Sequence, residues 1–445
     1  MDRPARSNHE SRVGLKLHSR ALCAAVITLG FIVSAWASGT SAASVKRVSK
    51  RSFRGAPIHF CIASSYTGTY ASFGASAWDG ALAAAYAINN AGGINGHKLV
   101  LDKTDDYGDP VDAVPSVKKE IATNHPSVLI GESSLTTFAI EPITNAAHIP
   151  NFTAAGSLTL DTNTNPLIWR ITPSDSELAA AMAIEGRHLG YKTGAILFQA
   201  GTPDNQLAPD LKRIFTRLGG KITSLQYFAV NQTSYLSEIE KALAGKPQTI
   251  FLDAPATDAA TIMNDFREVN NLNDKFIGTT LTAASTFESV VTPAVAHAHL
   301  ISLTPGSKSN GPAVKAFLHA YSVANHVNTK AAIVGAAAGA NYVYDAVTIV
   351  ALAMDHAHSS NPKIWNRQVT AVSNAPGHIV TNYAEGLRLL KQGKKINYTG
   401  ASGPDTYNSH HNEFGSFDAT QISANGKTRT TLYVVTAAAA KKASS

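Results

Sequence analysis

Ile58 to Pro110 reads IHFCIASSYTGTYASFGASAWDGALAAAYAINNAGGINGHKLVLDKTDDYGDP, and the alternation within it decides the fold. Ile58, Phe60 and Ile62 share one face of a run apolar enough to be buried on both, which predicts a strand. A polar, glycine-bearing loop follows, Ser64 to Gly74. Ser76-Ala77-Trp78-Asp79 has the spacing of a capping box and would start a helix at Ser76. Trp78, Leu82, Ala85 and Ile88 would share its apolar face. Gly92 and Gly93 suit its exit, because glycine takes the left-handed conformation found there. Gly96 turns the chain into a second strand, Lys98 to Lys103, closed by Asp105-Asp106. The product is a βαβ unit whose first loop lies at a strand's carboxyl end, where open α/β sheets bind ligands.

The spacing of Gly68, Gly74, Gly80, Ile88-Asn89, Gly92-Gly93-Ile94-Asn95-Gly96, Leu99 and Asp105-Asp106 resembles the start of the type I periplasmic binding proteins. The branch it resembles is the leucine/isoleucine/valine-binding proteins that feed ABC transporters. The glycine-glycine-isoleucine-asparagine-glycine turn followed by paired aspartates carries most of that likeness. Later, Asn397-Tyr398 and Gly400-Ala401-Ser402-Gly403-Pro404 resemble a late segment of the same family, so the pattern spans roughly Ala56 to Val435.

A chain of 445 residues, 44% hydrophobic and 16% charged, has room for two globular domains. Its net charge of +7 would suggest an acidic partner if it were spread evenly. It is not: the first 55 residues hold ten of the 38 Lys/Arg and two of the 31 Asp/Glu, leaving 28 bases and 29 acids beyond them. The body therefore offers no electrostatic case for nucleic acid.

The leader reads as an export signal. Basic residues up to Arg20 precede an apolar run from Ala21 to Ala37, with candidate cleavage sites at Ala35-Trp36-Ala37 and Ser41-Ala42-Ala43. An uncleaved membrane anchor is the alternative, since the run approaches the roughly 20 apolar residues of a span. Cys23 lies at the start of the apolar run rather than after it, so no lipid-attachment site is visible. Cys61, the other cysteine, is expected to be a small buried hydrophobe.

Beyond Pro110 strands and helices alternate to about Leu303, the signature of parallel sheets covered on both faces. Helical segments then dominate, Pro312 to Ala324 and Ala331 to His356 among them, before two last strands near Phe417 and Thr431. The expected fold is α/β, two doubly wound parallel-sheet lobes joined, as the resemblance implies, by three crossings. The expected boundaries are 1–43 signal peptide, 44–55 basic linker, 56–173 and 304–414 first lobe, 174–303 and 415–436 second lobe, and 437–445 tail.

No catalytic motif survives inspection. Gly131-Glu132-Ser133-Ser134-Leu135 lacks the second glycine of a nucleophile elbow, and Gly92 to Lys98 lacks P-loop spacing. The histidine pairs 297/299, 356/358 and 410/411 lack a third ligand, so no metal and no cofactor is expected. What remains are polar loops at strand ends. Ser133, Ser134 and Thr136 precede a helix whose positive end suits a carboxylate.

The resemblance implies that one of these three, with Gly156 and Ser157, holds a ligand carboxylate, and that Phe73 walls its side chain. The second lobe departs from the family. Where relatives have tyrosine-glycine this chain has Gln199, Thr202 and Asp204; Asp253 opens the next loop; and Thr280 stands where relatives place an acid for the ligand's ammonium. Asp204 or Asp253 would supply that counter-charge, or the ligand carries a carboxylate and no α-ammonium. The expected protein is a non-enzymatic, monomeric, extracytoplasmic binder of an amino acid or related polar solute. Its partner would be a membrane ABC permease or, in the alternative, a signalling protein.

Overall fold

The computed structural model describes residues 52–201, 207–283, 287, 290–306, 311–328 and 339–445. The expected leader, Thr202 and Asp204 lie outside the described residues. Two sheets carry the fold. In the first, β1 (Ile58–Ser64), β2 (Leu99–Asp105), β3 (Leu129–Ile130), β4 (Asn151–Thr153) and β5 (Ile168–Arg170) lie in the order β2-β1-β3-β4-β5, all parallel. Helices α1 (Ala71–Ala91), α2 (Pro110–Asn124) and α3 (Thr137–Ala147) supply its crossovers. The second is built from β6 (Thr193–Gln199), β7 (Lys221–Phe228), β8 (Thr249–Asp253), β9 (Phe276–Gly278) and β10 (Leu300–Gly306), with helices α4 (Asp175–His188), α5 (Leu207–Arg217), α6 (Leu236–Leu243) and α7 (Ala256–Asn270). A parallel pair apart from both sheets, β11 (His378–Val380) and β12 (Ile396–Tyr398), precedes β13 (Ser416–Ile422) and β14 (Arg429–Val435). The last two join the second sheet, which runs β14-β13-β10-β9-β8-β6-β7.

This is the α/β, two-lobe architecture that the alternation predicts, with one difference. β13 and β14 are antiparallel to their neighbours, so the second sheet is mixed. A short Ser423–Gly426 turn joins them, and only an antiparallel pair can be closed that tightly. The chain passes between lobes between β5 and α4, after β10, and just before β13.

Several local expectations change. The first helix starts at Ala71, not Ser76, and Tyr70 precedes it without a side-chain cap. Ser76 is buried inside the helix, among Gly74, Ala77 and Gly80. Gly74 lets the helix pack directly on Ser65 and Tyr66 in the loop after β1, and burial of these small residues outweighs the capping signal. The buried face is accordingly alanine-rich; Trp78 and Leu82 are half-buried. Gly92 does end the helix, in the left-handed conformation. Residues 437–445, expected as a tail, form the helix Ala437–Ser444, which packs on α4 and buries Ala440. Cys61 is fully buried and unpaired, as expected.

The core of the first lobe lies between its sheet, α1 and the later helix Ala340–Ala357, buried almost throughout. Gly80 is where those helices approach most closely: a Cβ there would collide with the Ala340 carbonyl. Gly80→Ala is therefore expected to lower stability by about 1 to 3 kcal/mol, through overpacking against rigid backbone. Urea unfolding of the variant beside the parent should show a lower midpoint with an unchanged slope.

Candidate functional site

Both sheets reverse strand order at one place. In the first the chain goes from β1 to β2 on one side and then to β3 on the other; in the second it goes from β6 to β7 and then to β8. Crevices open at the carboxyl ends of strands flanking such reversals. Here the two crevices face each other across one cavity of about 280 Å³. The first lobe contributes Ser64, Ser65, Tyr70, Phe73, Gly131, Ser133, Ser134 and Leu135; the second contributes Phe198, Gln199, Asp253, Thr279 and Thr280. Asp175, Tyr342 and Phe417 line it near the passages between lobes. The chain order thus delivers residues more than 300 positions apart to one cleft.

On the first-lobe side the polar groups are mostly engaged. Asp106, fully buried, accepts from Ser65 Oγ at 2.7 Å, Thr136 Oγ1 at 2.8 Å and the Gly108 amide at 2.9 Å. Ser133 caps its own turn: its Oγ accepts from the Leu135 amide and its carbonyl from those of Thr136 and Thr137. Ser134 Oγ accepts from the Ser157 amide at 3.2 Å. Ser157 is buried, and its hydroxyl accepts from the Thr159 amide while its carbonyl accepts from Arg170.

The second-lobe side carries a directed chain. The Tyr70 hydroxyl, from the first lobe, donates to Gln199 Oε1 at 2.7 Å. Gln199 Nε2 donates to Asp253 Oδ2 at 3.0 Å, and Thr279 Oγ1 donates to Asp253 Oδ1 at 2.6 Å. Burial pushes the Asp253 carboxyl up from the usual carboxylate range, and the two hydrogen bonds pull it back part of the way. A second contact between lobes joins Thr69 to Asn231 at 3.3 Å. Among the described residues lining the cleft there is no Lys, Arg or His.

Of the residues singled out from sequence, Phe73, Ser133, Ser134, Gly156, Gln199, Asp253 and Thr280 line the cavity. Thr136 and Ser157 do not; they are spent on Asp106 and on the turn at Thr159. Tyr342 went unrecognised because it sits within a largely apolar helical run rather than at a strand end. Asp175 read only as part of a helix cap, which it also is, since it opens α4 behind the Ser174–Glu177 capping box. The histidines of pairs 297/299 and 410/411 bond backbone carbonyls instead of converging.

The passages between lobes hold a cluster of buried acids. Arg170 pairs with Asp161 at 2.6 Å, and its backbone pairs with His411 and Glu413, so the first and third passages run side by side. Burial pushes Glu177 up to about 7, against the pull of the Ser174 amide and Arg170. Burial, reinforced by Asp345, pushes Glu413 well up. Asp345 and Asp418 are pushed up to about 6, again by burial.

Two sheets presenting their reversal points to one cavity define a ligand-capturing, two-lobe protein. The chain belongs to the periplasmic binding protein family, whose model matches residues 57–427. The fold is similar to that of the leucine binding protein LivK from Thermotoga maritima: TM-score 0.71, 18% identity, 85% of this chain and 99% of that one. A solute binding protein of an ABC transporter from R. palustris, solved with benzoate, is also similar: TM-score 0.68, 17% identity, 85% and 96% coverage. Among curated proteins, the chain is 24% identical over 331 residues to the chemotactic signal transduction substrate-binding protein BasB of Halobacterium salinarum, 71% of this chain and 74% of that one.

The raised acids fix the sign of a pH dependence. Between the ordinary carboxylate range and about pH 7 the folded chain holds protons that the unfolded chain has released. Stability is therefore expected to fall as pH rises from 5 to 8. Glu177 alone accounts for up to about 3 kcal/mol, by the size of its shift. Thermal unfolding across that range should show the trend, and Glu177→Gln should flatten it; a midpoint that rises toward pH 8 would contradict the assignment.

Proposed function

We propose that the chain is an extracytoplasmic solute-binding protein that captures a small amphiphilic solute, an amino acid or a related compound, in its interlobe cleft. It then presents the solute to a membrane ABC permease. The observation that carries this reading is the cavity lined from both lobes and bridged by the Tyr70–Gln199 hydrogen bond. A cleft of this kind gains affinity when its lobes close on a ligand and exclude water. Capture makes and breaks no bond. Phe73, Ser133, Ser134, Gly156, Gln199, Asp253 and Thr280 are proposed to face the solute. Thr136 and Ser157 are proposed to hold the loops that do. The leader, residues 1–43, is proposed as the export signal, and the working unit as a monomer.

A second reading has one specific support, the likeness to the chemotactic protein BasB: the same cleft would report its solute to a signalling partner. Permease-dependent uptake separates the two. Loss of the gene should abolish solute uptake under the first reading, and should leave uptake intact while abolishing the behavioural response under the second.

Closure is expected in solution. Small-angle scattering with a saturating ligand should give a smaller radius of gyration than without it. Phe73→Ala should weaken binding by about 1 to 3 kcal/mol through lost apolar contact. A curve unchanged at saturation would contradict the clamshell.

A further inference from the structure

We infer that the foot of the first lobe, at the end away from the cleft, is a docking face for the phosphate headgroups of an anionic lipid surface. The inference goes beyond the capture of a solute and does not depend on what the cleft holds.

Two observations carry it. The first is a second cavity, of about 370 Å³, to which Arg54, His356, His358 and Lys391 bring exposed basic side chains. They come from three separate segments. Arg54 precedes β1 and is fixed by its amide, which donates to the Gly96 carbonyl at 2.8 Å. His356 and His358 end the helix Ala340–Ala357, and Lys391 ends the helix Tyr383–Leu390. Among the described residues, neither Arg54 nor Lys391 forms an ion pair. Asp355, the acid of this lining, is buried and already engaged. Its Oδ1 accepts from the Asn95 amide at 2.7 Å, and its Oδ2 from the Tyr383 hydroxyl at 2.5 Å. Bases at helix ends often serve as caps. Here the carbonyls of Met354, Asp355, Leu387 and Leu389 already accept from backbone amides, so the basic side chains are left to face outward.

The second is the stretch of chain that joins the body at this place. The described residues begin at Ser52, and the six positions before it hold Lys46, Arg47, Lys50 and Arg51. Six residues reach at most about 21 Å, so these four bases belong to the same end of the molecule as the pocket. Beyond residue 55 bases and acids nearly cancel, so this concentration of positive charge is local.

The face is well separated from the cleft. Arg54 and Gly96 lie at the amino ends of β1 and β2, whereas the cleft lies at the carboxyl ends. The seven residues of β1 alone span roughly 23 Å. Tyr342, near the start of its helix, lines the cleft, while His356, near the end, lines the pocket. A surface held at the foot therefore leaves the cleft open. A lipid surface suits the arrangement because it offers one phosphate to the pocket and a field of others to the basic stretch beside it. Each base near such a surface adds about fivefold in affinity.

Sedimentation of the full chain with vesicles tests this, using phosphatidylcholine alone or with about one third phosphatidylglycerol. Phosphatidylcholine vesicles report any insertion of the apolar run Ala21 to Ala37, so the gain on adding phosphatidylglycerol reports charge. That gain is expected to be at least about tenfold and to fall as salt rises. Arg54→Gln with Lys391→Gln should reduce binding to the anionic vesicles by roughly tenfold or more. Lys212→Gln with Lys241→Gln removes the same charge from α5 and α6 of the second lobe and should leave binding unchanged. Should the first pair not fold, Arg54→Gln alone decides, with a loss of about fivefold expected. Equal loss from the two pairs would reduce the effect to net charge and overturn the docking face. Equal binding to both kinds of vesicle would overturn it as well. So would loss on replacing Lys46, Arg47, Lys50 and Arg51 by Gln, if the pocket pair had no effect. Release from anionic vesicles by inorganic phosphate, at an ionic strength where sodium chloride releases nothing, would assign the pocket to a free anion and overturn the lipid surface.

Discussion

The first lobe's half of the cleft is held by one buried carboxylate. Asp106 opens the loop after β2, and it reaches Ser65 in the loop after β1 and Thr136 in the loop after β3. Three loops from three strands are tied to one point with no exposure to solvent. Each such bond to a charged acceptor contributes about 1.5 to 3 kcal/mol, and leaving the acid unpaired there would cost more. Its neighbour Asp105 repeats the device nearer the surface, accepting from the Tyr66 amide, Thr67 Oγ1 and the Tyr107 amide. The paired aspartates of the sequence are thus the fastening of the site rather than its contents. That is why Thr136, a plausible ligand contact by position, faces inward.

The second lobe uses the same device with a different outcome. Asp253 also sits at a strand end beside the reversal point, and it also gathers neighbouring loops, through Gln199 after β6 and Thr279 after β9. Asp106 has three protein donors and no access to the cavity; Asp253 has two and lines it. One is a strut and the other a strut with a free face. The distinction depends on which side of the strand end each loop folds over, and this is settled by packing across the sheet.

This sets how much the sequence could reveal. Alternation of strands with helices, and the glycines around residues 92–96, are local signals, and they give both sheets and their order of appearance. β13 and β14 are legible as strands but not as antiparallel ones, because direction is set by where the partner lies. The start of α1 at Ala71 is hidden for a related reason. A capping box at Ser76 is a local preference, and the burial of small residues through the first turns, with Gly74 against Ser65 and Tyr66 in the loop after β1, overrides it. Gln199 and Asp253 are legible because they end strands, whereas Phe73, in the first turn of α1, is legible only through the family resemblance. Tyr342 stands within an apolar helix, and only its packing opposite the cleft brings it to the site.

The junction between lobes is built against the grain of ordinary burial. Glu177 and Glu413 lie within it; Asp345 and Asp405 act on each other and Asp345 on Glu413, while Arg170 acts on both glutamates and Lys441 on Glu177. Burial raises all four, and mutual repulsion with Asp345 adds to the shift at Asp405 and Glu413, so a further ionisation there meets both desolvation and like charge. In the cleft the balance differs. Asp253 has donors on both oxygens that favour its ionised form, and Tyr70 adds a bond that forms only while the lobes are close. One chain of hydrogen bonds thus runs from a first-lobe hydroxyl through the Gln199 amide to the second-lobe acid, and tying the lobes at this point orients Asp253 at the same time.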